Sequence, residues 1–352
     1  MSATANTARR AERIALWCGC ISGVCAVALS AAAPGSVAVA YRLAFFACLA
    51  PALGCTFLVL LHRITGGQWT NGIGPMLLSG NRMTPWVWVL AVPMLFMGRR
   101  PDGAGYDSLP VLALRLVVYG ALFFGVRWAL ADDVGVERDA RKNARPWVGS
   151  VGMIVLFFAL TLLADDWIES LEPEWHSTAF AAVWIVGLTV SGLSLCVLFA
   201  LGGDAAPGQK GSASRSLGND WGNLLLSAAI FFTYVAFAQF LIIWAGNLPH
   251  EISWYLERER GAWLYVIPAL ALTGFAAPFG ILLSIKLKDT VAGLAWASAL
   301  LLGSQLGYMV WVVAPAQHGS AAMSALLDAA FLACGGGFFI NRFAAGIGAR
   351  VR

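Results

Sequence analysis

Asp220, Asn223, Ser227 and Tyr234 lie in one long apolar block, LGNDWGNLLLSAAIFFTYVAFAQFLIIWAGN. On a helix turning 100° per residue they fall within about 60° of one another and climb about 21 Å. A carboxyl followed by an amide and two hydroxyls on one face is the chemistry of a proton relay. Hydroxyls and amides pass protons through intervening water, and a buried carboxyl can hold one. Asp328 sits in another apolar block, about 10 Å deep if that block is a helix. No basic residue lies three or four positions from it. If the two blocks pack with these faces together, they make an inner half-channel ending at a buried acid. The competing reading is that such residues simply glue helices together. That reading is the first choice for Ser298, Gln305 and Tyr308, which share a face of a third block within about 80°. Gln239 falls on a different face from the Asp220 stripe.

A second concentration of chemistry is DDWIESLEPEWHST (165–178), set between two of the most apolar stretches of the chain. It carries five acids, Asp165, Asp166, Glu169, Glu172 and Glu174, and one histidine, His176. Asp165 and Asp166 would close a helix at its C-terminal end, where the helix dipole disfavours acids. Something other than local helix stability is therefore expected to hold them, and a partner or a site is the modest inference. A second acidic and aromatic stretch, NLPHEISWYLERER (247–260), contributes Glu251. Together these residues are candidates for a partner surface or for a quinone site, which wants a proton acceptor near neutral pH. His62, followed by Arg63 at the end of an apolar block, reads as a surface anchor or an inner-end site.

Other chemistry is excluded. The four histidines, His62, His176, His250 and His318, stand at block ends or in loops, so no pair suits a bis-histidine haem. The seven cysteines all lie within apolar blocks, with no CxxCH or CxxC spacing, which removes covalent haem and cysteine-held clusters. No phosphate-binding loop, nucleophile elbow or HExxH motif is present. No metal site is expected, and the chain is not expected to be an enzyme by itself. Basic residues are scattered, with no run longer than ERDARKNAR (137–145), so nucleic acid is not an expected partner.

The elements that must position these residues are membrane helices. The chain is 59% hydrophobic with 15 tryptophans and a mean hydropathy of +0.73. No soluble core of this length could hide so much apolar surface, and the apolar residues come in blocks of membrane-spanning length. The fold class read from this is an all-α polytopic membrane protein of about ten transmembrane helices. They are expected near 14–33, 39–62, 83–99, 109–131, 146–164, 177–202, 219–245, 261–285, 290–314 and 321–345. The first, which follows Arg9, Arg10 and Arg13, is read as an uncleaved helix rather than a signal peptide. Residues 65–82 look too polar and glycine-rich to span, and are placed at the interface. With both termini in the cytoplasm, 17 of the 23 basic residues face inward, which fixes the orientation. The acidic 165–178 and 247–260 stretches then face outward. The Gly/Ser/Ala-rich stretch 203–218 divides 1–202, with helices 1–6, from 219–352, with helices 7–10.

Four features carry a family resemblance: HRITGGQW (62–69), DDWIESLEPEWHST (165–178), GNDWGNLLLSAAIFFTYVAFAQFLIIWAGNLPHEISWYLER (218–258), and the ten-helix plan. Over about 40–345 they resemble the NrfD-like (polysulfide-reductase-like) membrane subunits of alternative complex III, and among these the shorter, ActF-type subunit. That resemblance implies a pair of four-helix bundles plus peripheral helices. It implies a place in a bacterial cytoplasmic-membrane complex that moves electrons from quinol to cytochrome c or a cupredoxin. The implied partners are a longer NrfD-like subunit, an iron–sulfur subunit and haem c subunits. Haem and iron–sulfur clusters would sit in those partners, with no cofactor held covalently here and quinone or quinol as the possible ligand. It also implies polar half-channels for protons. The alternative is an independent polytopic transporter or structural membrane protein with no redox role.

Overall fold

The computed structural model of the chain describes residues 3–97, 108–130, 146–172, 175, 177–202, 212–247, 249–316 and 321–350. Among them there is no strand, as expected of a chain whose backbone must satisfy its own hydrogen bonds in lipid. In chain order the helices are α1 (Ala3–Ala32), α2 (Val37–Thr65), α3 (Gly74–Val89), α4 (Leu109–Leu130), α5 (Pro146–Trp167), α6 (Phe180–Leu201) and α7 (Ser212–Gly246). They continue with α8 (Pro249–Arg258), α9 (Val266–Ala271), α10 (Ala277–Leu283), α11 (Ile285–Lys288), α12 (Val291–Val313) and α13 (Ala321–Arg350). Nine segments among the described residues are long and apolar enough to cross a membrane. The chain is an all-α polytopic membrane protein.

The expected third span, 83–99, is the difference. Its helix starts nine residues earlier, at Gly74, and runs only 16 residues, about 24 Å. Pro85 lies inside it, and a separate 3₁₀ turn, Val92–Phe96, follows. The polar residues that had argued against a helix are satisfied by its neighbours. Ser79 donates to the Phe343 carbonyl at 2.6 Å, and Asn81 Oδ1 accepts from Thr56 at 2.9 Å. The 261–285 span is also not one helix. A π-helical turn, Leu272–Ala276, joins α9 to α10. Pro278 has no N–H for the carbonyl four residues back, so a regular ladder cannot continue through it.

α2 is the central helix, packed against α3, α5, α6 and α13. Its crossing with α6 brings backbone against backbone. A Cβ added at Gly54 would stand 1.9 Å from the Leu188 carbonyl oxygen, and one at Gly192 would stand 2.7 Å from the Gly54 carbonyl carbon. α13 lies along α1 in the same manner, since a Cβ at Gly337 would meet the Gly19 Cα at 2.7 Å. Small residues at such crossings let membrane helices approach closely.

Hydrogen bonds between helix ends sort the molecule into two faces. At the N-terminal end, Thr7 bonds to the Gly202 carbonyl, Arg63 to the Leu130 carbonyl, and Trp221 Nε1 to the Trp69 carbonyl. At the far end, Ser36 pairs with Ser324, Tyr41 with the Leu90 carbonyl, and Arg115 with Asp166.

Candidate functional site

The far end is closed by an aromatic and cationic stack. α8 carries Trp254 and Arg258 one helical turn apart, so both emerge on one side. The Arg258 guanidinium lies 3.8 Å above the Trp254 ring. On its other face Trp254 stacks on Trp175, with centroids 4.4 Å apart and planes within 12°. Arg258 then spends its donors on four acceptors. Nε reaches the Trp311 carbonyl at 3.1 Å, Nη1 the Trp254 carbonyl at 2.8 Å, and Nη2 both the Val312 carbonyl at 2.8 Å and Glu172 at 2.7 Å. Trp311 and Val312 are in the last turn of α12, whose carbonyls have no intrahelical partner. The side chain is 1% exposed. Burial lowers the Arg258 pKa against the pull of Glu172, and burial raises that of Glu172 against the pull of Arg258. The stack therefore ties α8 and α12 to Glu172 and Trp175 at this end of the molecule.

The acids of 165–178 mostly face inward to such ties. Asp166 accepts from Arg115 and from the Tyr119 hydroxyl, each at 2.6 Å, which pins α5 to α4. Glu169 is buried and accepts from the Ser177 amide at 3.0 Å. The Ser177 hydroxyl in turn accepts from Gln239 Nε2 at 3.1 Å, so Gln239 does use a face of α7 other than the polar stripe. Asp165 is exposed, and Glu251 is half-buried. Glu174 and His176 lie outside the described residues, as do the side chain of His250 and all of His318. The dipole argument thus has its answer inside the chain for Asp166, at Arg115 and Tyr119, while Asp165 stays exposed.

His62 closes a turn at the N-terminal end. Gly66 adopts φ +68° and returns its N–H to the His62 carbonyl at 2.7 Å. That fold-back brings Thr70 to 3.3 Å from His62 Nε2, and Trp69 edge-on to the imidazole. Nearby, Asn223 Oδ1 accepts from Lys288 at 2.7 Å, and Asp220 is half-buried. Ser227 and Tyr234 are exposed on α7, whereas Asp328 is buried on α13. α7 packs against α6, α10 and α12, while α13 packs against α1, α2 and α3. The condition for a half-channel, that the Asp220 and Asp328 faces meet, is not what this packing provides.

A different set of residues builds a cleft. It lies between α2, α6, α7 and α12, within the depth of the spans, and its lining includes Phe46, Trp184, Phe232, Gln305 and Tyr308. It spans about 410 Å³ of space between atoms, its open side included. The enclosed part admits little more than a water or two. Trp184 is 2% exposed, and its Nε1–H has no hydrogen-bond partner among the described residues. Gln305 Oε1 occupies the space that a side chain at Gly187 would take, 2.7 Å from its ideal Cβ. Pro51, also on the lining, leaves the Ala47 carbonyl without its helical donor. The cleft thus joins an aromatic wall to an orphaned indole donor, an amide and a phenol. Sequence reading placed Gln305 and Tyr308 on one face but took them for glue. Trp184 gave no polar signal, because an indole N–H is not marked by a search for charged, amide or hydroxyl side chains in an apolar block.

Among the described residues no group of three or more His, Cys, Asp or Glu could hold a metal ion. The chain matches no family model and no curated protein. Function must therefore be argued from the cleft, the Arg258 stack and the sequence pattern.

Proposed function

We propose that this chain is a non-catalytic membrane subunit of a quinol-oxidising electron-transfer complex, and that the α2–α6–α7–α12 cleft seats a quinone head group. The observation that carries the reading is the orphaned Trp184 Nε1–H at a cleft of aromatic side chains within the membrane. A buried donor without an acceptor is costly, and a quinone carbonyl is an acceptor that arrives through the lipid. Gln305 and Tyr308 would serve its second oxygen or its quinol form. The cleft is narrow, so its lining side chains would part to admit the ring from the lipid side, with one oxygen reaching Trp184 Nε1. The resemblance of 62–69, 165–178 and 218–258 to NrfD-like subunits of alternative complex III agrees with this. It supplies the rest of the proposal: a bacterial cytoplasmic membrane, with the basic N-terminal end inside and redox groups in iron–sulfur and haem c partners. Electrons and protons released from quinol would go to those partners and to water, with this chain only binding and orienting.

The test is purification with native lipids, followed by extraction of quinone and identification of co-purifying chains. Wild type should carry quinone together with haem and iron–sulfur subunits. Trp184→Phe with Gln305→Leu should lower bound quinone by about tenfold, the effect of two lost hydrogen bonds, while the chain stays folded. A wild-type preparation that is quinone-free, colourless and alone would end the proposal.

A further inference from the structure

α7 differs from the other peripheral helices in what it turns outward. α4 exposes Leu114, Val117, Val118 and Leu122, and α5 exposes Val151, Ile154, Phe157, Phe158 and Leu162. The α5 hydroxyl of Thr161 bonds back to the Phe157 carbonyl at 2.9 Å. Acyl chains cover such faces without loss. The exposed positions of α7 include Asn223, Ser227, Ile230, Tyr234, Phe237, Leu241 and Trp244. Among the exposed positions, which also take in Phe231, Phe240 and Ile242, these seven are spaced alternately four and three, the repeat that keeps two helices in side-chain register. The seam is about 32 Å long, which matches a hydrocarbon core of about 30 Å.

Two hydroxyls break its apolar character. Tyr234 is 67% exposed and stands within about three residues, or 4 Å, of the middle of the span Leu217–Gly246. The headgroups are then about 11 Å away, farther than a tyrosine side chain reaches. Neither Tyr234 nor Ser227 makes a side-chain hydrogen bond among the described residues. Thr233, beside Tyr234, does bond back to its own helix, at the Ala229 carbonyl. Lipid tails offer the phenol no acceptor.

We infer that this seam is covered by a transmembrane helix of a different chain. That helix presents a hydrogen-bond acceptor at the depth of Tyr234 and small residues opposite Phe237, Leu241 and Trp244. A second copy of this chain fits less well. Symmetric pairing would set bulky side chains against their own copies, whereas membrane helices approach through small ones. The inference does not depend on what occupies the cleft.

A benzophenone amino acid placed singly at Ser227, Tyr234, Val118 and Phe158, in membranes of the source cell, tests it. Positions 227 and 234 should give an adduct with one membrane protein, whose crosslinked peptide is an apolar helix with Gly, Ala or Ser at helical spacing. Positions 118 and 158 should give lipid adducts alone. Adducts containing only this chain, or lipid adducts at all four positions, would overturn the inference. Tyr234→Phe should reduce recovery of that protein in detergent by about threefold, the size of one interhelical hydrogen bond in a membrane. Unchanged recovery would remove the acceptor from the proposal.

Discussion

The helices α2 and α6 are about as apolar as α7 and the Gly261–Leu283 segment, and the two pairs pack in opposite ways. The most apolar windows of α2 and α6 are 89% and 78% buried, whereas those of α7 and of Gly261–Leu283 are each 17% buried. Mean hydropathies of 2.0–2.3 do not separate the two groups. In lipid, apolar surface gains little by leaving one apolar neighbour for another, so shape decides burial. α2 has Gly54 at its crossing and meets Gly192 and Gly80 there, and backbones touch. The outward face of α7 has Tyr234, Phe237 and Trp244. α2 and α6 are the core of a closed half, and α7 with Gly261–Leu283 is the open half, a wall that leans on α6 and α12.

The contrast can be broken most sharply at the crossing. Gly54→Leu forces α2 off the Leu188 carbonyl, and should destabilise the chain by more than about 3 kcal/mol, read as lost monodisperse protein in detergent. Gly303→Ala on α12, with nothing within 4 Å of its Cβ position, should be tolerated or slightly stabilising by helix propensity. If both behave alike, the two halves do not differ as described. Arg258→Ala should cost about 3 kcal/mol by leaving Glu172 unpaired and the α12 carbonyls bare, seen as a lower Tm. Arg258→Lys should recover only part, since an ammonium cannot fork to four acceptors. Asp166→Ala should cost about 2 kcal/mol through two lost charge-assisted hydrogen bonds, with proteolysis near α4 and α5 rising first. The smallest change is expected on the wall: Tyr234→Phe should leave the thermal stability of the isolated chain within about 0.5 kcal/mol. A larger drop would mean that α7 is held by its own chain at that face.

Hydropathy blocks were enough to read the helical class and most span limits, because length and apolarity are local properties. α1, α7 and α13 overrun their expected ends by continuing as helix past the apolar stretch. The third span was misplaced because its polar residues find partners, Phe343 and Thr56, that are distant in sequence. For the same reason the acids of 165–178 looked like surface charge. Asp166, Glu169 and Glu172 have their partners at Tyr119, Ser177 and Arg258, and one-dimensional spacing does not encode such pairings. Arg258 did leave a local trace, Trp254 one turn before it in SWYLER. The cleft left only the shared face of Gln305 and Tyr308, as its four helices come from three separated parts of the chain.

The π-helical turn at Leu272–Ala276 holds one residue more than an α-helical turn would. Removing one residue there would take out the extra residue, turning everything before it by about 100° and shifting it by about 1.5 Å relative to α10. Trp263, Val266 and Leu270, which pack on the core, would swing away from it together. The turn thus acts as a phase adjuster. It lets a segment entering after the Arg258 stack in one rotational setting leave toward Lys286 and Lys288 in another, without a break in the membrane.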